Sequence, residues 1–222
     1  MKPLYYLLIK KIKKIFIFIL FFVSMKAFAG NIKNTGTSDY INALKKVTDI
    51  MVNDVTSPVA ASRYYAYLTL SAYEAQSLFD SEKYPSLLPG IRQFSKIQVD
   101  GQIIKLSNHS LAIILSIFKA GEKLLPSGFM LKKNIDSVAK LFAKTNKDKL
   151  LFKNTAILVD EVVKQLMVYA RADGFTKLNN LPRYTPKQGD AWWKPTPPSF
   201  MAPVEPHWNT IRTFVLDSAG QF

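Results

Sequence analysis

The 222-residue sequence contains no cysteine, which excludes disulfides, thiolate nucleophiles and Cys-ligated metals. It has only two histidines, His109 and His207, too few for a zinc site of the usual kind. Acidic residues are scarce, 16 Asp and Glu against 30 Lys and Arg. No carboxylate pair suggests acid–base work: Asp160 and Glu161 are neighbours on a helical stretch and therefore point apart. No stretch alternates apolar and polar residues as a half-buried strand would, and no internal repeat is visible, so sheet and solenoid architectures have no support.

Part of the basic excess belongs to a targeting signal. Lys2, Lys10, Lys11, Lys13 and Lys14 precede an apolar run from Ile15 to Val23, and Ala27-Phe28-Ala29 follows with small residues where a signal peptidase reads. Residues 1–29 are expected to be a signal peptide cleaved before Gly30, giving a periplasmic or secreted protein. A retained anchor would need about 20 apolar residues, whereas the block after the lysines has nine. Removing residues 1–29 removes six lysines and no acid, lowering the formal charge from +14 to +8. The remaining lysines are scattered along the sequence, which favours a solvated basic surface over nucleic-acid binding.

The next 193 residues suffice for one domain with a core, and their period is helical. Ser38 is a candidate N-cap, followed by apolar Tyr40, Ile41, Leu44, Val47, Ile50, Met51 and Val55 at helical spacing. Ser57-Pro58 opens a second helix, "VAASRYYAYLTLSAYEAQSLF", apolar or small on nearly every side and therefore expected at the centre. Residues 84–101 read as a loop with about one helical turn. Further helices are expected over about 107–125, 130–144 and 147–172, the last ending at Asp173-Gly174. The fold class is all-α, an irregular bundle of five to six helices over residues 30–180.

Residues 181–222 differ. Seven prolines between Leu181 and Pro206 forbid a long helix. Tyr184, Trp192, Trp193, Phe200 and Trp208 carry large apolar area, so the segment is expected to bury them along a fixed, extended path over the helices. A shorter helix is expected near His207, turning Trp208, Ile211 and Phe214 inward.

Two blocks, "NDVTSPVAASRYYAYLTLSAYEA" and "WWKPTPPSFMAPVEPHWNTIRTFVLDSAGQF", occur in that order with a helical middle between them. In this the chain resembles the N-terminal half of exported bacterial members of the vanadium-dependent haloperoxidase and type 2 phosphatidic acid phosphatase superfamily. The resemblance implies an anion site made by three motifs: Lys, six residues and Arg-Pro; Pro-Ser-Gly-His; and Ser-Arg, five residues and His. In such a site Lys and two Arg hold phosphate or vanadate oxygens by charge-assisted hydrogen bonds. The histidines act as general acid and as nucleophile or metal-oxide ligand.

None of the three is intact in these 222 residues. Lys187 with Lys194-Pro195 matches the first only if Lys replaces Arg, which loses the planar fork suited to an oxyanion. Pro126 to Phe129 ends in Phe where the motif has His, and it precedes Lys187 instead of following it; it reads as a helix break. Ser62-Arg63 has no His at the required distance, so Arg63 is expected to be a structural ion-pair or capping donor. His207, in an expected buried turn, and His109, near a helix start, are expected to be structural. Accordingly no residue is assigned to catalysis, cofactor or metal binding, and vanadate is implied only for a complete relative. The expected role is a scaffold half of an acid phosphatase or haloperoxidase, truncated or split and inactive alone. Its expected partners are a complementary catalytic half or a second copy, with no nucleic acid and no stable membrane insertion after cleavage. The alternative is a noncatalytic periplasmic binding module.

Overall fold

The structure is a computed structural model that describes residues 35–94, 96–146, 148–218 and 220–221. The expected signal peptide, residues 1–29, lies outside the described residues. The chain divides into two compact units, Met1–Ser38 and Asp39–Phe222; the first is almost wholly outside the described residues. The second is an all-α bundle, and no strand occurs among the described residues. Among the described residues there are six α-helices: α1 Thr35–Asn53, α2 Pro58–Phe79, α3 Gly101–Lys105, α4 His109–Leu124, α5 Lys132–Thr145 and α6 Lys149–Arg171.

Ser38 lies inside α1 and is not its N-cap, because the helix already runs at Thr35. The buried face of α1 is Ala43, Val47, Ile50 and Met51. Ile41 points partly to solvent, and Val55 falls past the helix end in a left-handed turn (φ 50°), where it is exposed. The turn closes by Thr56 N–H donating to the Met51 carbonyl at 2.9 Å.

The second helix follows its sequence signals. Ser57 Oγ accepts from Ala60 N at 3.2 Å and Pro58 takes the first turn, where its missing N–H costs nothing. Tyr67 and Leu68 are fully buried, with Tyr64, Leu70, Ala72 and Ala75 around them, so α2 is the central helix. It packs against α4, which in turn packs against α6. Small residues on α4, Ala112, Ala120 and Gly121, are fully or nearly fully buried there. Buried Glu74 is satisfied by Ser86 Oγ at 2.7 Å and Leu87 N at 2.9 Å, which holds the loop after α2 against the bundle.

Two connections carry more structure than their composition suggests. Leu88, Ile91 and Ile97 enter the core from the 84–101 loop, and Asp100 caps the short α3 by accepting from Gln102 N at 2.8 Å. At the Pro126–Phe129 break, Gly128 opens a 3-10 turn, Gly128–Leu131, against the end of α4. Asn108 caps α4 through Leu111 N at 2.9 Å. Asp148 caps α6 through Leu150 N and Leu151 N at 2.9 and 3.1 Å.

Past α6 one 3-10 turn spans Phe175–Asn180, and another spans Trp208–Thr210 where a short helix was expected. Trp208, Ile211 and Phe214 are half-buried. The expected burial of the other aromatics is not met: Trp192 is 47%, Trp193 46% and Phe200 61% exposed. The reason is that the segment folds on itself instead of lying flat on the helices. Tyr184 stacks edge-on against Trp193 at 5.9 Å and donates from its hydroxyl to the Trp193 carbonyl at 3.2 Å. Lys187 Nζ sits 4.0 Å over the Trp192 ring.

Candidate functional site

The C-terminal end of α6 is where charge is concentrated inside the molecule. α6 ends at Arg171 with Ala172 as its C-cap, and Gly174, at φ 99°, turns the chain away in the left-handed conformation that glycine adopts without a Cβ penalty. Asp173, just before it, is buried. Its Oδ2 accepts from Arg63 Nε at 2.6 Å and from the Tyr67 hydroxyl at 3.0 Å, and its Oδ1 accepts from Phe175 N at 2.9 Å. Arg63 and Tyr67 lie four residues apart on α2, one turn along the same face, so both reach one carboxylate.

Two guanidinium groups close the end of α6. Arg63 Nη2 donates to the Ala170 carbonyl at 2.9 Å, and Arg212 Nη2 to the Tyr169 carbonyl at 2.6 Å. These carbonyls lack their i+4 helical donors and otherwise accept the longer bonds from Ala172 N at 3.2 Å and Asp173 N at 3.4 Å, at the negative end of the helix dipole. Arg63 also lies 4.3 Å from the Phe175 ring centre, and Arg212 lies 3.6 Å from that of Tyr169. Arg212 thereby fastens the end of the Pro/Trp segment, aided by its own N–H donating to the Asp173 carbonyl at 2.8 Å. Arg92 grips the same segment: its N–H donates to the Phe214 carbonyl at 2.8 Å, and its Nη1 donates to the Leu216 and Asp217 carbonyls. A cleft of about 450 Å³ lies here, lined by Ser62, Arg63, Asp173, Trp208 and Arg212 among others.

This arrangement is a lock with one donor to spare, Arg212 Nε, which is buried without a hydrogen-bond partner among the described residues. Burial, reinforced by the Asp173 charge, pushes the Tyr67 hydroxyl far above its ordinary range, so Tyr67 is a proton donor to Asp173 at any physiological pH. Because its folded pKa is raised above the unfolded value of about 10, its contribution to stability is complete below pH 10. It is lost as pH rises further, since the unfolded chain then releases a proton that the folded chain keeps. Urea melts from pH 8 to 11 are expected to show stability falling above about pH 10, and Tyr67→Phe is expected to flatten that fall. An unchanged alkaline limb in Tyr67→Phe would show that other groups cause it.

The sequence candidates do not converge. His109 follows the α4 cap, packs against Phe79 and shares a hydrogen bond with Gln76. His207 is half-buried and bonds to the Pro182 carbonyl at 2.7 Å. Asp160 pairs with Lys119 at 2.6 Å, while Glu161 accepts from Gln165 Nε2 at 2.8 Å. Lys187 and Lys194 are exposed, the first over Trp192. Arg63 is the ion-pair and capping donor expected from its sequence position. Sequence reasoning missed Asp173, which it used only as a helix terminator, and missed Arg212 as a clamp.

A solved structure, the crystal structure of the first bacterial vanadium-dependent iodoperoxidase, superposes with a TM-score of 0.73 at 30% identity, covering 83% of this chain and 44% of that one. The chain has a haloperoxidase-like fold. It spans less than half the length of the iodoperoxidase that it matches. No protein-family model and no curated protein matches the sequence.

For a haloperoxidase-like chain the fit of vanadate is the next question. Vanadate held as the resemblance implies needs cationic donors converging with a histidine, but Arg63 and the Nη groups of Arg212 are committed to Asp173 and to the α6-end carbonyls, leaving Arg212 Nε as a buried donor without a partner among the described residues. The two histidines are engaged with different elements, and no group of three His, Asp or Glu could hold a metal ion among the described residues. The described residues therefore do not fit vanadate, and no chemical step through it is derived. No described helix is long and apolar enough to cross a membrane.

Proposed function

We propose that this chain is the scaffold part of an exported haloperoxidase-like or acid-phosphatase-like protein, and that the residues binding phosphate or vanadate lie outside these 222 residues. One observation carries the reading: the chain matches 44% of a vanadium-dependent iodoperoxidase, while none of the three oxyanion motifs is intact in its sequence. The neighbouring exposed side chains of Trp192, Trp193 and Phe200 support it, because large aromatics gain by burial against a partner surface. They border or neighbour an open cleft of about 660 Å³ walled by Tyr184, Trp193, Pro197, Pro198 and Pro203. The scaffold's own task is positional: Arg212 and Arg92 hold the segment that follows the cleft against the bundle.

The test is enzymatic. Protein isolated from the periplasmic or secreted fraction, where the leader is expected to send it, should show neither phosphatase turnover nor vanadate-dependent halide oxidation. Mixing with a polypeptide that bears the three motifs should produce activity. Turnover by the chain alone that survives His207→Ala would overturn the reading. Recovery only from the cytoplasm would remove its export half. If the chain is instead inert with any motif-bearing partner yet stable and monodisperse alone, the noncatalytic binding module takes its place.

A further inference from the structure

The hairpin of α5 and α6 carries a feature that the scaffold role does not use. Near its tip the two helices present the same short pattern: Lys140-Leu141-Phe142-Ala143-Lys144 on α5 and Lys149-Leu150-Leu151-Phe152-Lys153 on α6. On each helix the two lysines are one turn apart and share a face, while the exposed leucine, one residue after the first lysine, lies about 100° round the helix from it, at the border of that face. Phe142 and Phe152 are half-buried and pack against each other, with ring centres 6.0 Å apart. Leu141 and Leu150 are left 64% and 57% exposed. The four lysines are exposed, and none is in an ion pair among the described residues. The one acidic residue between positions 140 and 153, Asp148, spends its carboxylate on the α6 cap. Nearby Asp136 is tied to Lys132 at 3.1 Å.

We infer that this hairpin tip is a peripheral docking surface for an anionic phospholipid bilayer. The charge is complementary to acidic headgroups, and unpaired lysines near such a surface attract it strongly at low salt. The two exposed leucines decide between partners. A soluble polyanion has no use for them, whereas the headgroup–acyl boundary accepts apolar side chains flanked by lysines whose stems reach back to the headgroups. Binding at this depth is adsorption without a span, in keeping with the short hairpin tip.

The absence of native cysteine allows one label. Ala143→Cys places a polarity-sensitive dye at an exposed position between Leu141 and Lys144, which reports this tip whatever the N-terminal leader does. Phosphatidylcholine vesicles with phosphatidylglycerol are expected to shift the dye emission to the blue, and vesicles without it are not. Raising salt from about 0.1 M to 1 M should abolish the shift. Lys144→Gln with Lys149→Gln should weaken partitioning about 25-fold, about fivefold for each charge. Leu141→Ser with Leu150→Ser should weaken it about tenfold, while circular dichroism stays unchanged because all four side chains are exposed. No blue shift, or a shift indifferent to phosphatidylglycerol or to the lysine pair, overturns the inference. So does binding to heparin combined with serine variants that partition like the parent, since a soluble polyanion would then be the partner.

Discussion

Replacing Asp173 with asparagine is expected to destabilise the protein by about 3–5 kcal/mol, the largest effect of any single polar substitution in it. The side chain keeps its shape, but Arg63, 6% exposed, is left as an uncompensated buried charge, and the Tyr67 hydroxyl loses its charged acceptor. For a unit of this size, such a loss lowers the melting temperature by on the order of 10 °C. The ion pair itself need not be worth that much, because desolvating both charges consumes most of their attraction. The double variant Arg63→Met, Asp173→Leu is therefore expected to recover a large share of the loss, short of the part that came from capping Ala170 and Phe175. Urea denaturation of the three proteins measures this. A loss below about 1 kcal/mol in Asp173→Asn would mean that the pair is wetter than the geometry shows.

The second large effect is expected at Gly128. A Cβ built there would lie 2.5 Å from the Gly121 carbonyl oxygen and 2.6 Å from that of Glu122. Both are backbone atoms of α4, so relief requires moving the 3-10 turn away from the helix. That turn also carries fully buried Leu131, and the residue before it, Ser127, donates its N–H to Asp54 Oδ2 at 3.0 Å. Gly128→Ala should therefore cost at the upper end of the range of about 1–3 kcal/mol for overpacking. Gly121→Ala provides the control. Its nearest contact, Leu131 Cδ1 at 2.6 Å, is the end of a side chain that can change rotamer, so its cost should be smaller. Thermal melts showing the reverse order would refute the backbone-clash account.

Local signals made most of the helices legible. Ser57-Pro58, Asp173-Gly174 and the apolar periods of α2, α4 and α6 each act within a few residues of themselves, and the structure follows them. The misses are non-local. Trp192, Trp193 and Phe200 have the composition of buried residues, but no composition says whether the surface that would cover them belongs to the same 222 residues. Arg63 could be read as an ion-pair donor from its place in an apolar helix, yet nothing local names its partner 110 positions away. Ser38 failed as a cap because a residue type that favours caps also fits inside a helix whose start is set elsewhere. Lys140, Lys144, Lys149 and Lys153 are close in sequence, but their pairing with exposed Leu141 and Leu150 at one hairpin tip shows only once α5 and α6 are folded side by side.

The Arg63–Asp173 pair also sets a clock. During synthesis Arg63 emerges 110 residues before its counter-ion, an interval of roughly 5–20 s at ordinary elongation rates. Until then the central helix carries a guanidinium that cannot leave water without a heavy penalty. The layer that buries this pair is therefore expected to close only once the end of α6 has been made.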